Sequence, residues 1–394
     1  MAKIHIHAVL HLGEWMQSLS GKPQLLKEVN SSMIERLVYE SGPISKPELA
    51  KRTGISLPTI SKLVDDLEKN ARLSSIGRSG KGAGRKAMLY ETNRNSGCIL
   101  ACYYKEGSLL CRLADMLNKT LHEKSFILEA TDVKKAVNST FFAIDAMMEL
   151  APSKVKIIGI GLPGVVHPGG RLLAIPQIAV WEGYNLEKTL KARYNVAVYV
   201  ENGVKLSAMG YFCTQLREKL DNLVYLYVGN GIGSGIILNR QLYRGSGDFS
   251  GEIGFMAEPH GSADRNYVAG GGYMESLMGP LVDYSTGELR QKGDSRKQKE
   301  LIAILSTIAI NHVVLLNPGV IVLAGKIFAK TLVEAIGKRM KYYLPAQVMP
   351  RITRDLSGTT ALEGLIESCR GYITTGMHLV QSTGLPQRVD RIAV

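Results

Sequence analysis

Two kinds of chemistry can be placed in this chain, in separate stretches. The first gathers Ser56, Pro58, Thr59, Ser61 and Lys62 at the start of a segment whose Ile60, Leu63, Val64 and Leu67 recur at i, i+3, i+4 and i+7. Short polar groups and a base on the first turn of an amphipathic helix suit reading of base edges in a DNA major groove. Arg78, Lys81, Arg85 and Lys86 follow in a glycine-rich loop, where bases can meet phosphates or a minor groove and glycines let the backbone come close. The second stretch holds three glycine-rich turns after or between strand-like runs: Gly159-Ile160-Gly161-Leu162-Pro163-Gly164, the run Gly229 to Gly235, and Gly251-Glu252-Ile253-Gly254. Such turns can cradle phosphate with backbone amides, although one at a time they are also ordinary tight turns.

The elements that must position these groups can be read in outline. A helix over about Ser31 to Glu40 ends at Ser41-Gly42-Pro43. Ser45 is placed to cap a second helix, with Glu48 at the capping-box position, and Gly54 supplies a tight turn. Ser56 is placed to cap the third helix, with Pro58 in its first turn. Asp65 and Asp66 fall further along, where they would disfavour phosphate. Two strand-like pieces flank the basic loop, so residues 25–94 are expected to form a winged helix-turn-helix; a plain three-helix bundle with a flexible linker is the alternative. Beyond it, strand candidates at 156–161, 196–200, 223–228, 235–238 and 320–324 alternate with helical stretches, which argues for an α/β body. The most apolar segment, Leu301 to Gly325, is broken by Asn311, His312, Asn317 and Pro318 and reads as a buried helix and strand, not a membrane span.

Composition sets the frame. The chain has 394 residues, 45% hydrophobic and 21% charged, which suits two or three domains with a large core. Its formal charge is +13, and residues 1–95 hold fifteen Lys and Arg against nine Asp and Glu. Six bases and no acid fall between Lys69 and Lys86, so a polyanionic partner is expected there. Five cysteines without a Cys-x-x-Cys pair, and no evident signal peptide, favour reduced thiols in the cytoplasm. Residues 1–24, set aside as an N-terminal arm, alternate Ile4, Ile6, Ala8, Leu10 and Leu12 with polar or small residues, a pattern open to a strand, an arm or an irregular lead-in.

In combination and order, these motifs resemble the ROK family (repressors, open reading frames and sugar kinases), in its winged-helix regulator branch of the N-acetylglucosamine- and xylose-repressor kind. The resemblance runs from Ile34 to about Gly376. It is carried by the wing ending in Gly84-Arg85, Gly161-Leu162-Pro163-Gly164, Glu201-Asn202, Val228 to Gly235, Gly251-Glu252-Ile253-Gly254, and Asn317-Pro318-Gly319-Val320-Ile321-Val322-Leu323-Ala324-Gly325. It implies a two-lobed, actin-like body with a sugar cleft, and homodimers or tetramers. The lobes are expected over 95–200, completed by a C-terminal helix at 378–394, and over 201–377. Sugar contacts are implied at Asn202, Glu252, Phe255 and Glu275, with Gly164 beside them and with Phe255 and Trp181 offering a ring to the sugar's CH face.

The departures from the family matter as much. Where its kinases carry an Asp-x-Gly-Gly-Thr phosphate loop, this chain has Tyr103, Lys105, Glu106 and Gly107. Where they carry the catalytic base after Glu-Asn, it has Gly203, and Lys205 is a cation. These two losses are counted as independent. The family's zinc positions fall on Phe255, Asn266, Val268 and Tyr273, none of them a zinc ligand, with His260 a lone neighbour. The expectation is therefore a cytoplasmic transcriptional regulator, most readily a repressor of carbohydrate genes. It would bind operator DNA and a sugar effector, with no catalytic residue, metal, cofactor or membrane. The alternatives are a sugar kinase with an added head, and a regulator governed by a protein partner.

Overall fold

The computed structural model describes residues 23–78, 87–105, 107–167, 170–173, 180–216, 220–257, 272–291 and 293–374. Lys81, Arg85, Lys86, Glu106, His260, Asn266, Val268, most of the 1–24 arm and the helix expected at 378–394 lie outside the described residues.

The head begins with α1 (Pro23–Ser41), longer at its start than the sequence pattern suggests, followed by β1 (Ile44–Ser45), α2 (Lys46–Thr53), α3 (Leu57–Lys69), β2 (Leu73–Arg78) and β3 (Met88–Thr92). Local signals set these limits. The Ser45 hydroxyl accepts from the Glu48 amide at 3.4 Å, and Gly54 ends α2 in the left-handed region at φ 72°, which a side chain would resist. Ile60, Leu63, Val64 and Leu67 are buried against Ile34, Val38 and Leu49, and the strands pair in the order β1-β3-β2. Ser56 departs from expectation. It precedes α3 but its side chain accepts no amide, and pairs at 2.8 Å with the Thr59 hydroxyl instead.

The body then runs β4 (Cys98–Lys105), β5 (Ser108–Asp115), β6 (Thr120–Ile127), α4 (Val133–Met148), β7 (Val155–Leu162), β8 (Val165–His167), β9 (Arg171–Leu173), α5 (Leu186–Tyr194), β10 (Ala197–Asn202) and α6 (Gly203–Tyr211). It continues with β11 (Leu223–Val228), β12 (Ile232–Leu238), β13 (Gln241–Leu242), α7 (Tyr273–Met278), β14 (Val282–Asp283), β15 (Glu288–Leu289), α8 (Ser295–Leu316), β16 (Val320–Ala324), α9 (Lys330–Tyr343), β17 (Arg351–Asp355) and α10 (Thr360–Thr374). Two five-stranded sheets result, ordered β10-β7-β4-β5-β6 and β13-β12-β11-β16-β17. Each joins an antiparallel hairpin to parallel strands. Leu305, Ile308 and Val313 of α8 pack into the second core, although α8 is by length and composition the one described helix apolar enough to cross a membrane.

Helices α6 and α10 lie together between the sheets. Their backbones meet at two glycines: a Cβ on Gly210 would fall 1.9 Å from the Thr360 carbonyl oxygen, and one on Gly364 1.9 Å from that of Leu206. The division of lobes expected from sequence needs one change here. Thr360–Thr374, placed with the second lobe, packs on the first sheet through Leu365, Ile366 and Cys369. Gly159 on β7 makes room, since a Cβ there would sit 2.4 Å from the Cys369 sulfur. The cysteines are all free thiols, and four of the five are buried.

Candidate DNA surface and ligand cleft

On the head, the turn into α3 leaves Ser56, Leu57, Pro58, Thr59 and Lys62 exposed, while Ser61 is half-buried and receives the Lys46 ammonium at 3.2 Å. Leu57, 47% exposed, is a large apolar group in the middle of this surface that the polar pattern did not single out. An apolar side chain there suits a thymine methyl. Asp65 and Asp66 are not free to repel phosphate: Lys46 reaches Asp65 at 2.5 Å and Lys27 reaches Asp66 at 2.6 Å. Arg78 is exposed at the end of β2, where the described part of the wing stops.

In the body, β10 delivers Glu201 and Asn202 to the N-terminus of α6. Asn202 caps that helix twice, its Oδ1 accepting from the Val204 amide at 2.8 Å and the Lys205 amide at 3.1 Å. Its Nδ2 donates to the Gly164 carbonyl at 2.7 Å. One N–H is left for a ligand. Glu201 is buried and accepts from Tyr199 at 3.0 Å and from Arg244 at 2.6 Å. Burial works against the Arg244 charge, yet Tyr199, Glu201 and Asp248 beside it hold the guanidinium above its ordinary value. Lys205 is buried as well, donating from Nζ to the Asp248 carbonyl. Arg244 is the principal charge here that the motifs did not reveal, because its partners come from distant turns.

Facing them from the second lobe is Glu252, whose carboxyl burial pushes up to about 7, partly offset by Lys205 and reinforced by Glu275. Glu275 accepts from the Ile232 amide at 3.4 Å, and the Phe255 ring lies 5.2 Å from that of Phe249. Asn202 thus stands on the first lobe, and Glu252, with Glu275 near it, on the second, close enough for Glu252 to feel the Lys205 charge. Trp181 does not join them. It is fully buried in the first core, its ring edge-on to Tyr104 at 4.8 Å, so the aromatic face expected of it is closed to a sugar.

The two departures counted as independent are one feature of packing. A Cβ on Gly203 would fall 2.7 Å from the Tyr103 hydroxyl, and a Cβ on Gly161 2.7 Å from the edge of the same ring. Tyr103 thus fills the space in which a side chain at 203 would stand, and Gly203 and Gly161 make room for it. Next to it, β4 and β5 stay paired to Lys105 opposite Ser108, with Gly107 at φ 75° at the turn. Paired to their ends, these strands hold their backbone amides in the ladder. A cavity of about 280 Å³ does remain between that turn and Asn230, Tyr284 and Ser285 of the second lobe.

Comparison with known proteins decides the kinship: the model of the ROK family matches residues 108–354. The chain belongs to the ROK family. Among its relatives is the xylose repressor of Bacillus subtilis (strain 168), 27% identical over 234 residues, 59% of this chain and 61% of the repressor. The match thus spans about three fifths of that relative's length. Two solved structures share the fold. One is a ROK family transcriptional regulator, a homologue of the E. coli MLC protein, with TM-score 0.73 and 19% identity over 91% of this chain and 100% of that one. The other is a ROK hexokinase from Thermus thermophilus, with TM-score 0.56 and 18% identity over 72% and 99%. The mixed α/β body behind an N-terminal helical head therefore belongs to a fold shared by regulators and kinases of the ROK family.

Proposed function

We propose that this ROK chain is a sequence-specific DNA-binding transcriptional regulator, a cytoplasmic repressor of carbohydrate genes, acting as a homodimer or tetramer and answering to a sugar-like effector in a body that transfers no phosphoryl group. The observation that carries the reading is the start of α3, where Ser56, Leu57, Pro58, Thr59 and Lys62 are exposed while Asp65 and Asp66 are paired with lysines. Arg78 and the basic residues Lys81, Arg85 and Lys86 would add phosphate contacts from the wing. The name of the Bacillus subtilis relative supports both the activity and a sugar as effector.

In the cleft, a sugar would donate hydroxyls to Glu252 and Glu275, accept from the remaining Asn202 N–H, and lie against Phe255. Gly164 would act through its carbonyl, which holds Asn202 in place. Drawing Asn202 and Glu252 together would turn the lobes about the α6–α10 contact. The head rides on α10: Tyr39 donates to Glu367 at 2.9 Å, and the Arg370 guanidinium stacks on the Tyr39 ring. A dimer reads two half-sites at fixed spacing, so a modest turn of each head would lower affinity steeply.

The test is binding of the purified chain to its own upstream DNA, with and without a panel of aldoses, at two salt concentrations. Specific binding weakened by one sugar supports the whole reading. Specific binding indifferent to every sugar moves control to a protein partner, and sugar-dependent ADP release would replace the reading by a kinase.

A further inference from the structure

The junction between head and body encloses a cavity of about 240 Å³, separate from the division between the lobes. Glu35, Tyr39, Arg72 and Thr92 wall it from the head, and Lys156 and Arg370 from the body. Three cations converge. Glu35 pairs with Arg72 and also faces Lys156, and Glu367 pairs with Arg370, so three cations share two carboxylates here. Asp115, the next acid nearby, is engaged by Arg94 at 3.1 Å.

Unmet hydrogen bonds gather at the same place. Arg370 is 5% exposed; its Nη2 reaches Glu367 and its plane lies on Tyr39, but its buried Nε–H has no acceptor. The buried Thr92 hydroxyl also has no partner, and Asn118, which donates to Glu367 at 3.4 Å, keeps an unmatched carbonyl oxygen. An unmatched buried polar group costs about 1–3 kcal/mol, so two on the wall of one cavity, Thr92 and Arg370, call for an occupant. The groups lining it that lack partners, an Arg N–H and a Thr O–H, can both donate, and the unmatched charge is positive. The occupant they fit accepts hydrogen bonds and is negative. Burial, and after it the neighbouring Arg72, lowers the Lys156 ammonium's affinity for its proton, with Glu35 opposing them in part.

We propose that this junction is a binding site for a small oxyanion, a phosphate or carboxylate group, held by Arg72, Lys156 and Arg370 with the Thr92 hydroxyl. Guanidinium forks match such groups with paired hydrogen bonds, and the volume admits a small ion or the terminal group of a small metabolite. Because the ligating cations come from both head and body, the bound anion fixes the head against α10. The site stands independently of the DNA-binding reading.

The experiment is calorimetric titration of the full chain with inorganic phosphate and, separately, with acetate, in chloride buffer at constant ionic strength. The expected result is saturable binding of one equivalent of at least one of the two, the stronger identifying the group. Lys156→Gln, at a half-buried position, should weaken that binding at least tenfold while keeping the fold. Thr92→Val should weaken it several-fold, and Arg370→Gln should abolish it if the variant folds. Binding of neither anion, or equal binding by the wild type and Lys156→Gln, which would mark an adventitious ion only, overturns the proposal.

Discussion

Two helices of this protein begin in similar ways and end up opposite in use. Helix α3 follows a turn, carries Ser56 ahead of its first residue, and has no side chain accepting its first amides. Its first turn is exposed. Helix α6 follows a strand and is capped by Asn202, which takes two amides and ties itself to Gly164; its first residue, Gly203, is packed under Tyr103. A helix start with open amides and exposed donors is available to an anionic partner. One that is capped and covered has become part of the scaffold. The comparison teaches that in this ROK chain an exposed helix start lies on the head, while the helix start at α6 is filled by its own neighbours Asn202 and Tyr103.

The largest effect should come from forcing α6 open. Gly203→Asp restores a carboxylate after Glu-Asn but drives its Cβ into the Tyr103 hydroxyl, with an expected loss of about 2–3 kcal/mol in chemical denaturation. Adding Tyr103→Gly should recover part of that loss, and a double-mutant cycle measures the coupling. If the two changes add without coupling, the packing account of Tyr103 and Gly203 is wrong.

At the open helix, Lys62→Ala combined with Thr59→Ala should lower operator affinity by about 1–3 kcal/mol, roughly five- to 150-fold, read by fluorescence anisotropy. Arg78→Ala should weaken operator and random DNA alike and reduce the salt slope by about one. Unchanged affinity in both variants would remove the contrast between the two helices.

Glu252 gives a smaller, pH-dependent effect. Its folded carboxyl is raised from 4.5 to about 7, so the unfolded chain releases this proton first as pH rises. Stability tied to the protonated form is then complete below about pH 4.5 and lost by the time pH passes 7. Glu252→Gln should accordingly stabilise the protein by about 1–2 kcal/mol at pH 8 and by almost nothing at pH 4.5, measured by denaturation at both pH values. A gain independent of pH would refute the assignment. The smallest effect should follow Ser45→Ala, which removes the α2 cap and costs about 0.5–1 kcal/mol in melting experiments, with the α3 surface intact.

What the sequence determined by itself is whatever depends on neighbours along the chain. The Ser45 cap and the Gly54 turn were legible because their partners lie within one helical turn, and the buried face of α3 because its apolar residues recur with helical spacing. Strands β7, β10, β11 and β16 were legible as apolar runs that end at or just before a glycine turn or helix start. The β4–β5–β6 meander was not outlined, although Gly107 and Asn118 mark its two turns with positive φ. In the cleft, the residue types at Asn202, Glu252 and Glu275 were readable as landmarks, but their surroundings were not. Only the tertiary structure could bring Arg244 to Glu201, close Trp181 into the first core, lay α10 on the first sheet, and seat Tyr103 over Gly203 a hundred residues away. The physical reason is range: caps and periodicity act over one or two turns, whereas burial, charge pairing and shared volume depend on which distant side chains arrive at the same place.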